Sequence, residues 1–206
     1  MTLVLATKNA KKIIEMQHLL SGLDLDVQSV DDARPGVPVA EESGSTFEEN
    51  ACIKALWYAA HTGSLCVADD SGLEVDALRG APGVWSSRFA GVEGDDGANN
   101  RLLLEKLEGV PDEARGAQFR CAIALAIPGR VLWTSEGLVR GRILTSARGS
   151  DGFGYDPLFY FPEWNATFAE VPKERKATVS HRGQALARLR DAFPSILTIL
   201  RNLRDQ

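Results

Sequence analysis

The chain has 206 residues, 44% of them apolar and 25% charged, which is typical of one large domain with a sizeable core. A net charge of −5 argues against a broad basic face, so we expect no nucleic-acid polymer as a partner. The three cysteines, Cys52, Cys66 and Cys121, show no Cys-x-x-Cys spacing and are interpreted as reduced core residues. The apolar run at 3–6 is too short for a signal sequence or a membrane span, so we expect no membrane partner and a cytoplasmic protein.

Strand and helix patterns alternate in the first half of the chain. Residues 2–6 predict a buried strand, and the spacing of apolar residues over 11–20 predicts a helix after it. A second helix is expected to start at Ser45 or Thr46, because acids follow three positions later, as in a capping box. That helix leads to a buried strand at 65–68. The order predicts an α/β fold.

The second half combines a long loop with β-rich runs. Residues 79–100 contain five glycines and predict a long excursion of the kind that is often functional. The runs 117–127 and 130–139 predict a hairpin around a Pro-Gly turn, so antiparallel pairing joins the sheet. A last helix is expected to open at Ser180 and to be interrupted at Pro194.

Two adjacent acids, Asp69 and Asp70, close the strand 65–68 and precede Ser71-Gly72, where we expect the chain to turn. Ligands of α/β sheets collect at the carboxyl ends of strands. Paired carboxylates at such a place suit a hard cation such as Mg²⁺. The alternative, which is the commoner one for an isolated Asp-Asp pair, is a solvated turn with an aspartate cap.

The segment from Thr7 to Lys12 lies between the first strand and the first helix. Backbone N–H groups at a helix start attract phosphate, and the side chains of Thr7, Asn9, Lys11 and Lys12 add donors and positive charge. The segment lacks the glycines and the Gly-Lys-Ser/Thr ending of a P-loop. The alternative is an ordinary strand–helix turn with solvated lysines.

Lys54 and the acid pair Glu41-Glu42 are further candidates. Lys54 lies on the second predicted helix, where a contact to phosphate and a solvated position are equally compatible with its spacing. Glu41 and Glu42 precede Ser43-Gly44, where a turn could bring one carboxylate toward the Asp69-Asp70 pair. Spacing alone does not choose between them.

Two later segments offer groups for a nucleobase. In Gly152-Phe-Gly-Tyr-Asp-Pro157 the glycines allow close approach, so Phe153 is a candidate for stacking on a base. The alternative is a core aromatic. His181 and Arg182 follow Lys176 and lie in the first turn of the last helix, which already carries partial positive charge. An anion or a carbonyl-bearing ligand would explain them, and the alternative is a cap by Ser180 with His181 donating to a nearby loop.

Seven segments, spread nearly from end to end, together carry a resemblance that none of them carries alone. They are ATKNAKK at 6–12, AEESG at 40–44, TFEENA at 46–51 with Lys54, ADDSG at 68–72, GAPG at 80–83, GFGYDP at 152–157 and SHRGQA at 180–185. In this order they resemble the inosine triphosphate pyrophosphatase (Ham1-like) family of house-cleaning nucleotidases. The resemblance implies a single domain over residues 1–206, with a long mixed β-sheet flanked by helices, two lobes with the active-site cleft between them, and a homodimer.

The activity implied by the resemblance is hydrolysis of non-canonical purine nucleoside triphosphates (ITP, dITP, XTP) to the monophosphate and pyrophosphate, by Mg²⁺-assisted attack of water at the α-phosphate. The resemblance assigns roles as follows: Thr7, Lys8, Asn9, Ala10, Lys11, Lys12 and Lys54 hold the phosphates; Glu41 and Asp70 bind Mg²⁺; Asp70 is the proton acceptor; Ser71 contacts the nucleotide; and Phe153, Gly154, Tyr155, Asp156, Lys176, His181 and Arg182 enclose the base. Lys8 departs from the glycine that many members of the family carry.

Two other functions remain open on the residues alone. A phosphatase of the haloacid dehalogenase type also uses aspartates after a strand, but in an Asp-x-Asp arrangement, whereas Asp69 and Asp70 are adjacent. A non-catalytic nucleotide sensor would keep the base and phosphate contacts and dispense with the acids.

Overall fold

The structure, a computed structural model, describes residues 1–204. The helices are α1 (Ala10–Leu20), α2 (Val30–Ala33), α3 (Phe47–Thr62), α4 (Asp96–Lys106), α5 (Lys173–Ala177) and α6 (His181–Arg204). The strands are β1 (Thr2–Leu5), β2 (Asp26–Ser29), β3 (Leu65–Val75), β4 (Gly116–Ile127), β5 (Arg130–Ile143), β6 (Phe159–Phe161) and β7 (Ala166–Thr167).

The strands form one mixed sheet in the order β2-β1-β3-β4-β5-β6-β7. β1 pairs in parallel with β2 and with β3, in a register that sets Leu3 opposite Leu65. β6 pairs antiparallel with β5 and with β7. This arrangement confirms the predicted α/β class with a mixed sheet and flanking helices.

The chain divides into two compact units. The first unit comprises residues 1–70, 122–136 and the segment from residue 183 onward, and the second comprises residues 71–121 and 137–182. The boundary between the two units falls inside β3. Asp70 is the last residue of the 1–70 segment of the first unit, and Ser71 is the first residue of the second unit.

In the first unit, α3 is built as its sequence predicts. Thr46 caps the helix by accepting a hydrogen bond from Glu49 N, and the Glu49 carboxylate accepts one from Thr46 N, which confirms the capping box. The helix ends at Gly63, whose φ of 68° is the left-handed conformation that glycine adopts without strain. Small residues such as Ala51 and Ala55, four apart, are fully buried and let the helix approach its neighbours closely.

The core of the second unit is aromatic. Phe119 of β4 packs against Phe159 with ring centroids 4.6 Å apart, and Phe168 lies 5.0 Å from Phe159. Leu73 and Val75 of β3 are buried in the same cluster. This burial explains why the expected turn at Ser71-Gly72 is wrong: β3 runs on to Val75 because its next alternate residues fill the core of the second unit.

Pro194 does not interrupt the last helix, contrary to the sequence expectation. α6 is continuous from His181 to Arg204 with the proline inside it. Phe193 and Ile196, on either side of the proline, are buried. Their packing offsets the hydrogen bond that a proline removes from a helix.

Cys66 and Cys121 are buried and Cys52 is half-buried, and none of the three forms a disulfide. Burial raises the pKa of Cys66 to about 11. Within residues 1–204 no helix is long and apolar enough to cross a bilayer.

Candidate active site

Asp69 and Asp70 lie in the middle of β3 and are nearly inaccessible to solvent, at 1% and 6% exposure. Lys12 of α1 places its Nζ 3.0 Å from Asp69 Oδ2. Lys54 of α3 places its Nζ 2.8 Å from Asp70 Oδ1 and 2.8 Å from Glu42 Oε1. The first unit therefore brings three acids and two lysines together around the end of its part of β3.

Asn50 completes this group. It lies four residues before Lys54 on α3, so both side chains project from one face and reach the same carboxylate. Asn50 Nδ2 donates to Asp70 Oδ2 at 3.2 Å, and Asn50 Oδ1 accepts from Gly44 N at 2.8 Å. We call Lys12, Glu42, Asn50, Lys54, Asp69 and Asp70 the acid cluster.

The electrostatics of the acid cluster are set by burial and by close charges. Burial raises the pKa of Asp70, although Lys54 and Lys12 oppose the rise and Glu42 adds to it. Burial by itself would lower the pKa of Lys54, but the charges of Asp70, Glu42 and Asp69 outweigh it and raise that pKa. Three carboxylates facing two ammonium groups leave an excess of negative charge, which a cation would complement.

The carboxylate oxygens of the acid cluster are of the type that Mg²⁺ prefers as ligands. That ion binds to one or two protein carboxylates and takes its other oxygens from water and substrate phosphates. Over residues 1–204 no group of three metal-ligating side chains is assembled, so a complete protein cage is not present. Glu42 makes the ion pair with Lys54, whereas Glu41, the predicted ligand, is exposed one residue earlier.

The predicted phosphate segment has a clear local structure. Asn9 caps α1, since its Oδ1 accepts from Lys11 N and Lys12 N at 3.0 and 3.3 Å. Thr7 Oγ1 accepts from Asn9 N at 3.2 Å. Lys8 points elsewhere and lies 3.5 Å from Asp31. Ala10 and Lys11 are exposed, and Lys12 makes an ion pair with Asp69 of β3.

A second group of polar side chains lies in the second unit. Arg182, 1% exposed, donates from Nη2 to Ser71 Oγ at 2.8 Å. Lys176 donates from Nζ to Asp156 Oδ2 at 2.5 Å, and the same oxygen accepts from Phe153 N at 2.9 Å. A Cβ at Gly152 would collide with that carboxylate, which explains the glycine before Phe153.

Aromatic rings accompany these cations. Lys176 Nζ lies 5.0 Å and Arg182 Cζ lies 5.9 Å from the centroid of the Phe153 ring. His181 is buried and stacks on Phe119 at 4.9 Å with an interplanar angle of 14°. His181 and Arg182 begin α6, as predicted. We call Ser71, Phe153, Asp156, Lys176, His181 and Arg182 the donor cluster.

Gly154 and Tyr155 are also predicted to enclose a base, and both make hydrogen bonds within the second unit. Tyr155 is buried in the core and its Oη donates to Ser86 O at 2.8 Å. Gly154 is held by two residues that the sequence reasoning did not single out: its N–H donates to Asp96 Oδ2 at 2.9 Å, and its carbonyl accepts from Asn100 Nδ2 at 2.9 Å. The four-residue spacing of Asp96 and Asn100 on α4 was the available signal.

Known proteins resemble this chain over most of its length. The sequence profile of the Ham1 family matches residues 3–192. A dITP/XTP pyrophosphatase of Desulforamulus reducens is 54% identical over 186 residues, covering 90% of this chain and 92% of the relative. A dITP/XTP pyrophosphatase of Exiguobacterium sibiricum is 50% identical over 197 residues, covering 96% and 99%.

Solved structures agree. A HAM1 protein from Coxiella burnetii superposes with a TM-score of 0.85 at 43% identity and covers 95% of this chain and 99% of its own. A nucleoside-triphosphatase (dITP/XTP pyrophosphatase) from Mycobacterium abscessus does so with a TM-score of 0.73 at 46% identity, covering 92% and 98%. With a profile match over nearly the whole sequence and relatives of this identity, the chain belongs to the Ham1 family.

Proposed function

We propose that the protein hydrolyses non-canonical purine nucleoside triphosphates, namely ITP, dITP and XTP, to the nucleoside monophosphate and pyrophosphate. Its relatives are dITP/XTP pyrophosphatases, which supports this substrate class. The observation that carries the proposal is Asp70, a buried carboxylate held by Lys54 on one oxygen and by Asn50 on the other. A carboxylate fixed in this way can accept a proton at a defined position.

Asp70 is the proton acceptor in the proposed reaction. An attacking water gives its proton to the carboxylate while its oxygen bonds to the α-phosphorus and the bond to the β-phosphate breaks. An aspartate of ordinary pKa is a weak base, and the burial that raises the pKa of Asp70 moves it toward the working pH. Glu41 and Asp70 would hold Mg²⁺, which supplies charge neutralisation for the phosphates and acidifies bound water.

Lys12 and Lys54 are the residues proposed to bind the triphosphate. Each already pairs with a carboxylate, so both ammonium groups are positioned before substrate arrives. Phosphoryl transfer needs positioning and charge stabilisation more than covalent catalysis. The start of α1, capped by Asn9, adds backbone N–H groups that favour an anion.

The donor cluster is proposed to read the base. Arg182, oriented by Ser71, and Lys176, oriented by Asp156, are donors that match the 6-oxo group of hypoxanthine and xanthine. Adenine presents an amino group at that position, so a donor would face a donor. A site built for one hydrogen-bonding pattern rejects its mismatch strongly. Phe153, whose ring lies near both of these cations, is proposed to stack on the base.

We also propose that the protein works as a homodimer in the cytoplasm, as the family resemblance implies.

Incubation of the purified protein with ITP and Mg²⁺, followed by chromatography of the products, tests the proposal. We expect IMP and pyrophosphate. IDP with orthophosphate would indicate a phosphatase, and binding of ITP with no turnover would indicate a nucleotide sensor.

A further inference from the structure

One residue in the proposed base-enclosing loop, Gly154, is held at both of its backbone polar groups by the same helix. The N–H of Gly154 donates to Asp96 Oδ2 at 2.9 Å, and its carbonyl accepts from Asn100 Nδ2 at 2.9 Å. Asp96 and Asn100 are one turn apart on α4, so their side chains lie on one face of the helix. Together they hold the two peptide groups on either side of the Gly154 Cα, and so fix the backbone at Gly154.

This loop depends on such contacts because it has no regular structure of its own. The residues from 144 to 158 belong to neither β5 nor β6. Gly154 has a φ of 63°, which a left-handed turn requires. Phe153 precedes it, and the Phe153 N–H is tied to Asp156, the partner of Lys176. The contacts to α4 therefore act on the residues that flank the proposed stacking ring and its cation.

A neighbouring asparagine has a different partner. Asn99 accepts from Ala90 N at 2.8 Å and donates to Ser87 O at 3.1 Å. It ties α4 to the preceding segment and makes neither of the two hydrogen bonds to Gly154. The two consecutive asparagines of α4 thus hold different parts of the chain. Asn99 holds the 87–90 segment, and Asn100 holds the backbone at Gly154.

We propose that Asp96 and Asn100 are positioning residues that set the selectivity of the enzyme among purine bases, by fixing the loop 152–156. The inference rests on the proposed function and names a determinant of its specificity. A loop that is fixed against the base rejects a base whose hydrogen-bonding edge does not match, whereas a flexible loop adapts to several ligands. The phosphates and the attacking water contact other residues, so the effect falls on base discrimination and KM rather than on kcat.

The test compares Asn100→Ala with Asn99→Ala in the full-length protein. For each variant we would measure kcat and KM for ITP, GTP and ATP, the melting temperature, and amide hydrogen exchange in residues 152–156. In Asn100→Ala we expect faster exchange in that loop and a fall of about tenfold in the preference for ITP over GTP and ATP, the scale of one hydrogen bond. The change should appear in KM, with kcat for ITP within about twofold of wild type.

Asn99→Ala should lower the melting temperature and leave the preference for ITP unchanged. Because Asn99 is buried, Asp95→Ala provides a second control: it removes the N-cap of α4, an exposed side chain that bonds to Ala98 N at 2.8 Å. Both controls test helix stability without changing either contact to Gly154.

Each outcome decides the question. Faster exchange in residues 152–156 with an unchanged preference for ITP would show that Asn100 supports the loop without setting selectivity, and would overturn the inference. Equal loss of selectivity in the Asn99→Ala or Asp95→Ala protein would overturn it as well. Failure of the wild-type protein to convert ITP to IMP would contradict the proposed function itself. That result is distinct from any difference between the variants.

Discussion

The acid cluster and the donor cluster both combine cationic side chains with carboxylates, but in opposite proportions. Counting the side chains that define each cluster, the first sets two lysines against three carboxylates, and the second sets a lysine and an arginine against one carboxylate. Most of the charged side chains in both clusters are buried, and a buried charge is costly unless it is paired. The sign of the excess charge then determines which ligand each cluster can bind. The first cluster suits a cation together with a polyanion, and the second suits the hydrogen-bond acceptor edge of a neutral base.

The two clusters also differ in how rigidly the chain holds them. Asp69 and Asp70 of the first cluster lie within β3, and their lysine partners come from helices α1 and α3. Phe153 and Asp156 of the second lie in an irregular loop that depends on contacts from Asp96 and Asn100. A reacting group is thus placed on regular structure, and a selective group on a loop positioned by a helix, which is the more tunable arrangement.

Substitution of Asp70 by asparagine should produce the largest difference between the clusters. Asp70→Asn removes the proton acceptor while keeping nearly the same shape, so we expect kcat for ITP to fall by about a thousandfold or more, ~4 kcal/mol of transition-state stabilisation. Selectivity for the base in binding should not change. Steady-state kinetics and ITP binding measure the two effects, with Asp69→Asn as the matched control of smaller effect. Retention of more than about a tenth of kcat, a loss under ~1.4 kcal/mol, would contradict the role of Asp70.

Arg182→Ala should alter the donor cluster alone. We expect the ratio of kcat/KM for ITP to that for ATP to fall by about a hundredfold, because the guanidinium is a charged donor matched to the 6-oxo group. Since Ser71 accepts a hydrogen bond from Arg182, Ser71→Ala serves as the control that disturbs its orientation without removing it. An unchanged ratio in Arg182→Ala would move base reading to Phe153 or to the backbone of the 152–156 loop.

The lysines of the acid cluster should distinguish phosphate from base. Lys12→Ala and Lys54→Ala are each expected to weaken binding of ITP by about tenfold or more, since each removes a charge-assisted contact to phosphate. Binding of inosine, which has no phosphate, should change by less than about twofold on the same argument. Calorimetry with both ligands compares the two losses, and Lys106→Ala, which removes an exposed lysine of α4 outside the proposed phosphate site, is the control. Equal losses for inosine and ITP would contradict the assignment.

A smaller effect is expected in the pH dependence of stability of Lys54→Met. The pKa of Asp70 is already raised by burial, and Lys54 opposes that rise, so the variant should raise it further. A carboxyl whose pKa is higher in the folded than in the unfolded state binds its proton more tightly when folded. The variant should therefore be most stable in acid, below the unfolded pKa of about 4, and should lose stability as the pH rises through the folded pKa.

Urea denaturation of the metal-free protein between pH 4 and pH 8 measures this effect. The wild type should show a shallower decline over the same range, because its lysine is in place. Parallel curves for the two proteins would mean that Lys54 does not stabilise the ionised form of Asp70.

Local patterns in the sequence predicted much of the fold. The capping box at Thr46, a buried strand that contains Asp69 and Asp70, and the start of α6 at His181 are all present. These features depend on residues within a few positions of each other, where spacing and propensity act directly. The continuation of β3 to Val75 was not predicted, because it depends on burial in an aromatic core formed by distant segments.

Pairing between distant residues marks the limit of prediction for the site. Glu41 and Glu42 are indistinguishable by spacing, and the choice of Glu42 as the partner of Lys54 emerges from the path of the 34–46 segment. The contacts of Asp96 and Asn100 to Gly154 span 58 and 54 residues and leave only an i, i+4 spacing in the sequence. Such contacts are fixed by tertiary packing, so local patterns do not reveal them.

Hydrolysis of ITP in water enriched in oxygen-18, with the label located by mass spectrometry, tests the central claim most directly. If Asp70 delivers water to the α-phosphate, the label will appear in IMP and the pyrophosphate will carry none. Label in pyrophosphate or in orthophosphate would mean attack at another phosphorus and would contradict the account.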